Sequence, residues 1–327
     1  MTTATSAQEE IVTPSHVIRG QARTDAERAV EAALDAVIAW EGRRVGYAPV
    51  HGGLQNENWR LEVEGEQIPF FLKIPGAGSE AFIDRNNSHV AAQRAGALGI
   101  SPRIVHFDAG TGIEIIEFLE GYRACTNGDM KRPEITTEII GLYRAFGSIE
   151  PLPSTKTVLD MINEHLMQAT DLGVALPRFW PELMREQQSA QRALLAGGID
   201  LVPCHNDPMP GNFLISDGKP MRLVDFEFSS NNERAYELAV MTTEFFYDDT
   251  RFGECVEEFY GAADAATIAR VQVCGFLADV KWGLWGIVNA RLNNGWDFDY
   301  HKYGVWKLHR AQARLCDPRW GGWIGAL

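Results

Sequence analysis

Apolar positions recur at helical spacing over 22–40, at Ala26, Val30, Ala33, Leu34, Val37 and Ile38, and predict an amphipathic helix. The texture changes over 44–50. Polar and apolar residues then alternate over 58–63, Gly65 offers a turn, and a second apolar run covers 68–74, so the pair predicts a β-hairpin. Pro75, Gly76 and Gly78 break it. A helix is expected over 82–99, stopped by Gly99 and Pro102. Strands at 104–107 and 113–118 follow, split by a Gly-rich turn at 108–112. Beyond Gly121 long helical patterns take over, at 135–146, 157–170 and 181–195. Two strand-like pieces, 213–216 and 221–224, flank Asp217-Gly218, a strong hairpin turn, and the remainder reads as helix. The order predicts an α+β chain with a flexible tail over 1–21, a small β-rich lobe over 22–121 and a large helical lobe over 122–327.

The 327 residues are 45% hydrophobic and 23% charged, ample for a buried core. A net charge of −14 argues against a nucleic-acid binder, which carries a basic stripe. It suits solubility and weakly attracts cationic small molecules. Cys125, Cys204, Cys255, Cys274 and Cys316 are scattered without a CxxC pair, so the expectation is reduced thiols in a cytoplasmic protein and no zinc site. The N-terminal residues lack the basic start and apolar run of a signal peptide. No stretch reads as apolar over a length that would cross a bilayer, so no membrane partner is expected.

The chemistry concentrates in one stretch, Cys204-His205-Asn206-Asp207-Pro208-Met209-Pro210-Gly211-Asn212, which has the form H-x-D-x-x-x-x-N. That is the spacing of a kinase catalytic loop, with Asp as base and Asn as Mg²⁺ ligand. Thirteen residues after Asn212, and directly after a predicted strand, comes Asp225-Phe226-Glu227, in the place of the kinase D-F-G. Nucleotide-bound Mg²⁺ wants hard oxygen ligands, which Asn212, Asp225 and Glu227 supply. An acceptor hydroxyl wants a carboxylate to take its proton, which is the role expected of Asp207. His205 is expected to tie the loop backbone together rather than transfer a proton.

At these residues the chain resembles the choline/ethanolamine kinase branch of the aminoglycoside-phosphotransferase-like kinases, over about 50–310. The resemblance implies a two-lobed protein-kinase-like fold, ATP and Mg²⁺ as cofactors, and a small cationic alcohol as acceptor. Gly52-Gly53-Leu54-Gln55-Asn56-Glu57-Asn58-Trp59 is similar to the family's phosphate loop, which makes Gly53, Asn56 and Asn58 ATP contacts. Phe71-Leu72-Lys73-Ile74-Pro75-Gly76 resembles the strand whose basic residue meets the phosphates, here Lys73. Ile83-Asp84-Arg85 matches an I-D-R that opens the next helix, but the glutamate that pairs with the basic residue in relatives is Ser88 here. Glu80 or another acid would have to substitute. Ile115-Ile116-Glu117-Phe118-Leu119-Glu120-Gly121 is similar to the interlobe hinge, with adenine contacts implied at Glu117 and Leu119.

The same resemblance bears on the acceptor. Lys281-Trp282-Gly283-Leu284-Trp285, followed by Phe298, Tyr300 and Tyr303, looks like the aromatic arrangement that encloses choline's quaternary ammonium. Ring faces recognise a cation that has no N–H to donate. The family's glutamate near that cation falls on Glu244, nineteen residues beyond Asp225. Outside this context, Trp and Tyr at helical spacing are core formers, and Trp320 and Trp323 are expected to be so here. Choline is the expected acceptor, ethanolamine its near rival. A kinase for an aminoglycoside or another small alcohol, and a non-catalytic nucleotide-binding pseudokinase, are the alternatives.

Overall fold

The computed structural model describes residues 17–50, 56–76, 83–292 and 298–327. The chain divides into two compact units, Met1–Gly76 with Ile104–Phe118, and Ala77–Arg103 with Leu119–Leu327. Residues 83–103, placed by the sequence in the first lobe, therefore group with the second unit. The described part of the expected tail also differs, because Val17–Ile18 is a strand.

The first unit is built on a six-stranded sheet in the order β1-β2-β3-β4-β6-β5, every pair antiparallel. The strands are β1 (Val17–Ile18), β2 (Val45–Pro49), β3 (Asn56–Val63), β4 (Phe70–Pro75), β5 (Ile104–Phe107) and β6 (Glu114–Glu117). β2 is the texture change at 44–50, too short and too continuously apolar to show an alternation. Helix α1 (Asp25–Asp35) starts at a Thr24/Glu27 capping box and buries Val30, Ala33 and Leu34. These meet Trp40, Tyr47, Trp59, Leu61, Phe70, Leu72 and Ile115 in one apolar cluster. The predicted long helix stops at Asp35, and Ile38–Trp40 is a 3₁₀ turn.

The second unit opens with α2 (Arg85–Ala97), capped by Asp84, whose side chain accepts from the Asn87 amide. Asn87 fixes α2 to this unit. Its amide donates to the Ser229 carbonyl at 2.6 Å and its oxygen accepts from the Ser154 N–H at 3.0 Å. There follow β7 (Arg123–Ala124), α3 (Pro133–Phe146), α4 (Val158–Asp171) and α5 (Trp180–Ala196), close to the helices read from periodicity. Next come β8 (Leu201–Cys204), β9 (Phe213–Ser216), β10 (Lys219–Leu223) and β11 (Ser230–Glu233). β9 and β10 form the expected hairpin, with Gly218 at φ 70° in its turn, a conformation costly for a residue with a Cβ. β8 pairs antiparallel with β11.

The chain ends with α6 (Arg234–Glu244), α7 (Asp249–Tyr260), α8 (Ala265–Leu292), α9 (Tyr300–Leu315) and α10 (Trp320–Gly325). α8 runs 28 residues and holds an 18-residue window of mean hydropathy 1.2, long and apolar enough to cross a bilayer, contrary to the sequence reading, and that window is entirely buried inside the protein. A helix surrounded by protein is apolar on every side, so its period carries no amphipathic signal. α9 crosses α8 where three glycines meet. A Cβ on Gly286 would lie 2.7 Å from the Gly304 Cα, and one on Gly304 would lie 2.7 Å from the Gly283 carbonyl oxygen and the Ile287 nitrogen. Trp320 and Trp323 are buried, the first donating its indole N–H to Glu186 at 2.9 Å.

Candidate active site

β8 ends in the loop that carries Asp207 and Asn212, and β10 ends in the loop that carries Asp225 and Glu227. His205 joins the two loops. Its Nδ1 faces the Asp207 carbonyl and its Nε2 the Val224 carbonyl, both at 3.0 Å. The Val224 N–H in turn donates to the Asn212 carbonyl at 3.0 Å. The Asn212 amide reaches the Asp207 carbonyl at 3.5 Å, and the Met209 N–H donates to Asp207 Oδ1 at 3.2 Å. His205 thus has the structural place expected of it. Phe226 anchors the second loop, packing on Phe146 and on the His205 ring at 5.3 and 5.1 Å between centroids.

Asn206 and Asp225 both have left-handed backbones, at φ 67° and 66°. Non-glycine residues take this conformation at a cost, and such residues concentrate at functional sites. At Asn206 buried hydrogen bonds hold it. The Asn206 side chain donates to the Phe228 carbonyl at 2.8 Å and to Ser230 Oγ at 2.9 Å, and accepts from Asn232 at 2.9 Å. The backbone N–H groups of His205 and Asn206 both donate to the Glu237 carboxylate of α6. Burial pushes the Glu237 carboxyl up to about 7, against the lowering effect of those two N–H donors. Glu237 and Asn232 are supports that the sequence reading missed. No short motif marks them, because each acts on residues far away along the chain.

Asp207 is half-buried. Desolvation pushes its carboxyl above the ordinary value, His205 and Lys281 oppose this, and Asp225 adds to it. A more basic carboxylate is a better proton acceptor.

On the first unit, register sets Asn58 opposite Lys73 and Asn56 opposite Pro75 across β3 and β4. Lys73 also lies opposite Glu114 of β6, and Glu117 opposite Phe70. Directly opposed residues share a face of the sheet, so Glu114 is the acid beside Lys73 within its own sheet. Ser88 lies on α2 of the second unit. Gly53 and Glu80 lie outside the described residues, and Leu119 follows β6 as the first residue of the second unit's longer segment.

The five aromatic residues expected at the acceptor site form one cluster. Trp282 meets Trp285 edge-on at 5.4 Å between centroids; Trp285 meets Tyr300 at 5.5 Å and Tyr303 at 5.9 Å; Phe298 meets both tyrosines. Phe228, not anticipated, extends the cluster toward the catalytic loop, 5.3 Å from Trp282. Glu244 differs from expectation. Its carboxylate is taken by Lys307 and by Arg310, the latter at 3.3 Å, and Arg310 also pairs with buried Asp279. Burial pushes the Glu244 carboxyl up, but the Lys307 and Arg310 charges outweigh this and hold it below the usual value.

Comparison with known proteins bears on the family and the fold. The family model described as choline/ethanolamine kinase matches residues 47–264. "Probable choline kinase 2" of Arabidopsis thaliana is 25% identical, over 89% of this chain and 93% of its own length. The crystal structure of a choline/ethanolamine kinase family protein from Mesorhizobium loti superposes with a TM-score of 0.77 at 26% identity, covering 92% of this chain and 98% of that one. LicA in complex with AMP gives 0.71 at 19% identity, covering 90% and 99%, a likeness of fold. The fold is thus the protein-kinase-like one that the sequence predicts. With a family model spanning well over half of its length, the chain belongs to the choline/ethanolamine kinase family.

Proposed function

We propose that this kinase transfers the γ-phosphoryl group of ATP to the hydroxyl of choline or a close amino alcohol, with Asp207 as the base. The observation that carries the reading is the continuity of the second unit's site: the Asn206 side chain holds the Phe228 carbonyl, and Phe228 packs on the Trp282–Trp285–Tyr303 cluster. A hydroxyl placed at Asp207 would leave a short cationic head group within reach of ring faces, worth roughly 0.5–2 kcal/mol each. The acceptor oxygen forms the new bond to the γ-phosphorus, its proton passes to Asp207, and the bond to the β,γ-bridging oxygen breaks to release ADP.

Asn212 and Asp225 are the residues that would hold Mg²⁺, with Glu227 beside them. Among the described residues no group of three or more His, Cys, Asp or Glu side chains gathers as for a metal ion. An amide and a carboxylate suit an ion that arrives with the nucleotide and takes its other ligands from phosphate and water, where it neutralises developing charge. Asn56, Asn58, Lys73, Glu117 and Leu119 are the ATP contacts in this reading, with Glu114 taking over the orienting role that relatives give to the helix glutamate. Glu244 acts through Lys307, positioning Tyr303, over whose ring the Lys307 ammonium sits at 4.8 Å.

The test is alcohol-dependent ADP release, screened over choline, ethanolamine, an aminoglycoside and a sugar. Asp207→Asn should lower turnover of the preferred alcohol by about 10²–10⁴-fold. Undiminished turnover in that variant removes Asp207 as the base.

A further inference from the structure

A lysine nitrogen of the protein's own already lies against the aromatic cluster. Lys281 precedes Trp282 on α8, is 1% exposed, and its side-chain nitrogen has no hydrogen-bond partner among the described residues. The nitrogen lies 3.0 Å from the centroid of the Trp282 ring and 4.7 Å from that of Phe228. It lines a cavity of the second unit together with Lys156, Glu164, His165, Glu227 and Phe228. Burial drives the Lys281 amine well below its ordinary value, with Asp207 pulling the other way. One face of Trp282 is therefore occupied, and the ring also packs on Phe228 and Trp285.

We propose that Lys281 sets the acceptor preference of this site, favouring an amino alcohol whose ammonium carries N–H bonds over one whose nitrogen is quaternary. The inference rests on the amino-alcohol reading above and narrows it. The direction holds for either protonation state of the lysine. A neutral amine offers a lone pair, which a primary ammonium can donate to and a trimethylammonium cannot. A charged Lys281 repels both, but the primary ammonium can turn its N–H bonds to carboxylate or carbonyl oxygen, whereas the quaternary one depends on ring faces and loses the Trp282 face that Lys281 covers. Discrimination of this kind works by penalising the wrong partner.

The experiment compares kcat/KM for ethanolamine and choline in the parent protein and in Lys281→Met, which keeps an unbranched stem of matching length and removes the nitrogen. The choline-to-ethanolamine ratio should rise about tenfold or more in the variant, and Lys281→Leu should move it the same way. An unchanged ratio, or a shift toward ethanolamine, overturns the proposal. Calorimetry of the parent protein with methylammonium and tetramethylammonium gives a reading that needs neither variant nor turnover. Tighter binding of methylammonium is expected, and tighter binding of tetramethylammonium overturns the proposal. If neither alcohol binds or is phosphorylated by any of these proteins, the amino-alcohol reading itself falls and takes this inference with it. Turnover with an unaltered ratio defeats the inference alone.

Discussion

The residues of this site divide by how far along the chain their partners lie. Asp207, Asn212 and Asp225 announce themselves because their chemistry is encoded in local spacing. Glu237, Asn232 and Lys281 do not, because a buried polar side chain is defined by what the rest of the fold brings to it. His165 shows that such residues have measurable consequences. It is 3% exposed, with Nδ1 against the Gln168 side chain at 2.8 Å. Burial first, and the Lys281 charge second, lower it to about 3. The unfolded chain binds a proton at this imidazole below about pH 6.5 while the folded one stays neutral, so stability contributed here is present at neutral pH and is lost as pH falls toward 3. The slope is about 1.4 kcal/mol per pH unit inside that window. Urea unfolding at pH 6.5 and pH 5 should show a decline about 2 kcal/mol steeper in the parent than in His165→Gln, and equal declines would place the imidazole in water.

At the level of elements, periodicity served where one face is wet. Helices α3, α4 and α5, and the β9–β10 hairpin, lie close to where apolar spacing and Asp217-Gly218 put them. It failed where polar residues are buried. The strand β11 reads Ser-Asn-Asn-Glu and is buried throughout. Asn231 donates to the Leu152 carbonyl at 2.8 Å, Asn232 accepts from the Val158 N–H at 2.9 Å, and Glu233 pairs with Arg270 at 2.7 Å. Hydrophobicity patterns are blind to a strand held by such bonds, and β8, its partner, was missed with it. The crossing of α8 and α9 is governed by Gly286 and Gly304, whose added Cβ atoms would strike backbone that cannot rotate away. Gly286→Ala should push the helices apart at a cost of about 1–3 kcal/mol. Because Trp285 and Tyr303 flank the crossing, acceptor KM should rise as the melting temperature falls. An unshifted melting temperature would show that the helices slide past one another freely.

For the molecule as a whole, α8 is the axis of the second unit. Its residues from Val271 to Asn289 are buried without a break, including polar Gln272, Asp279, Lys281 and Asn289. Amides between 271 and 289 should be among the slowest in the second unit to exchange with deuterated water, approaching the free energy of global unfolding. Rapid exchange there would mean that the unit opens around this helix. The same continuity that makes α8 a good axis has a consequence during biosynthesis. A nascent chain exposes this long apolar helix before its partners are made, and α9, whose glycine seats against it, leaves the ribosome later. In that interval chaperones must keep the segment from lipid and from other chains. Weakening α9 will therefore show first as lost soluble yield, before any change in the rate of phosphorylation.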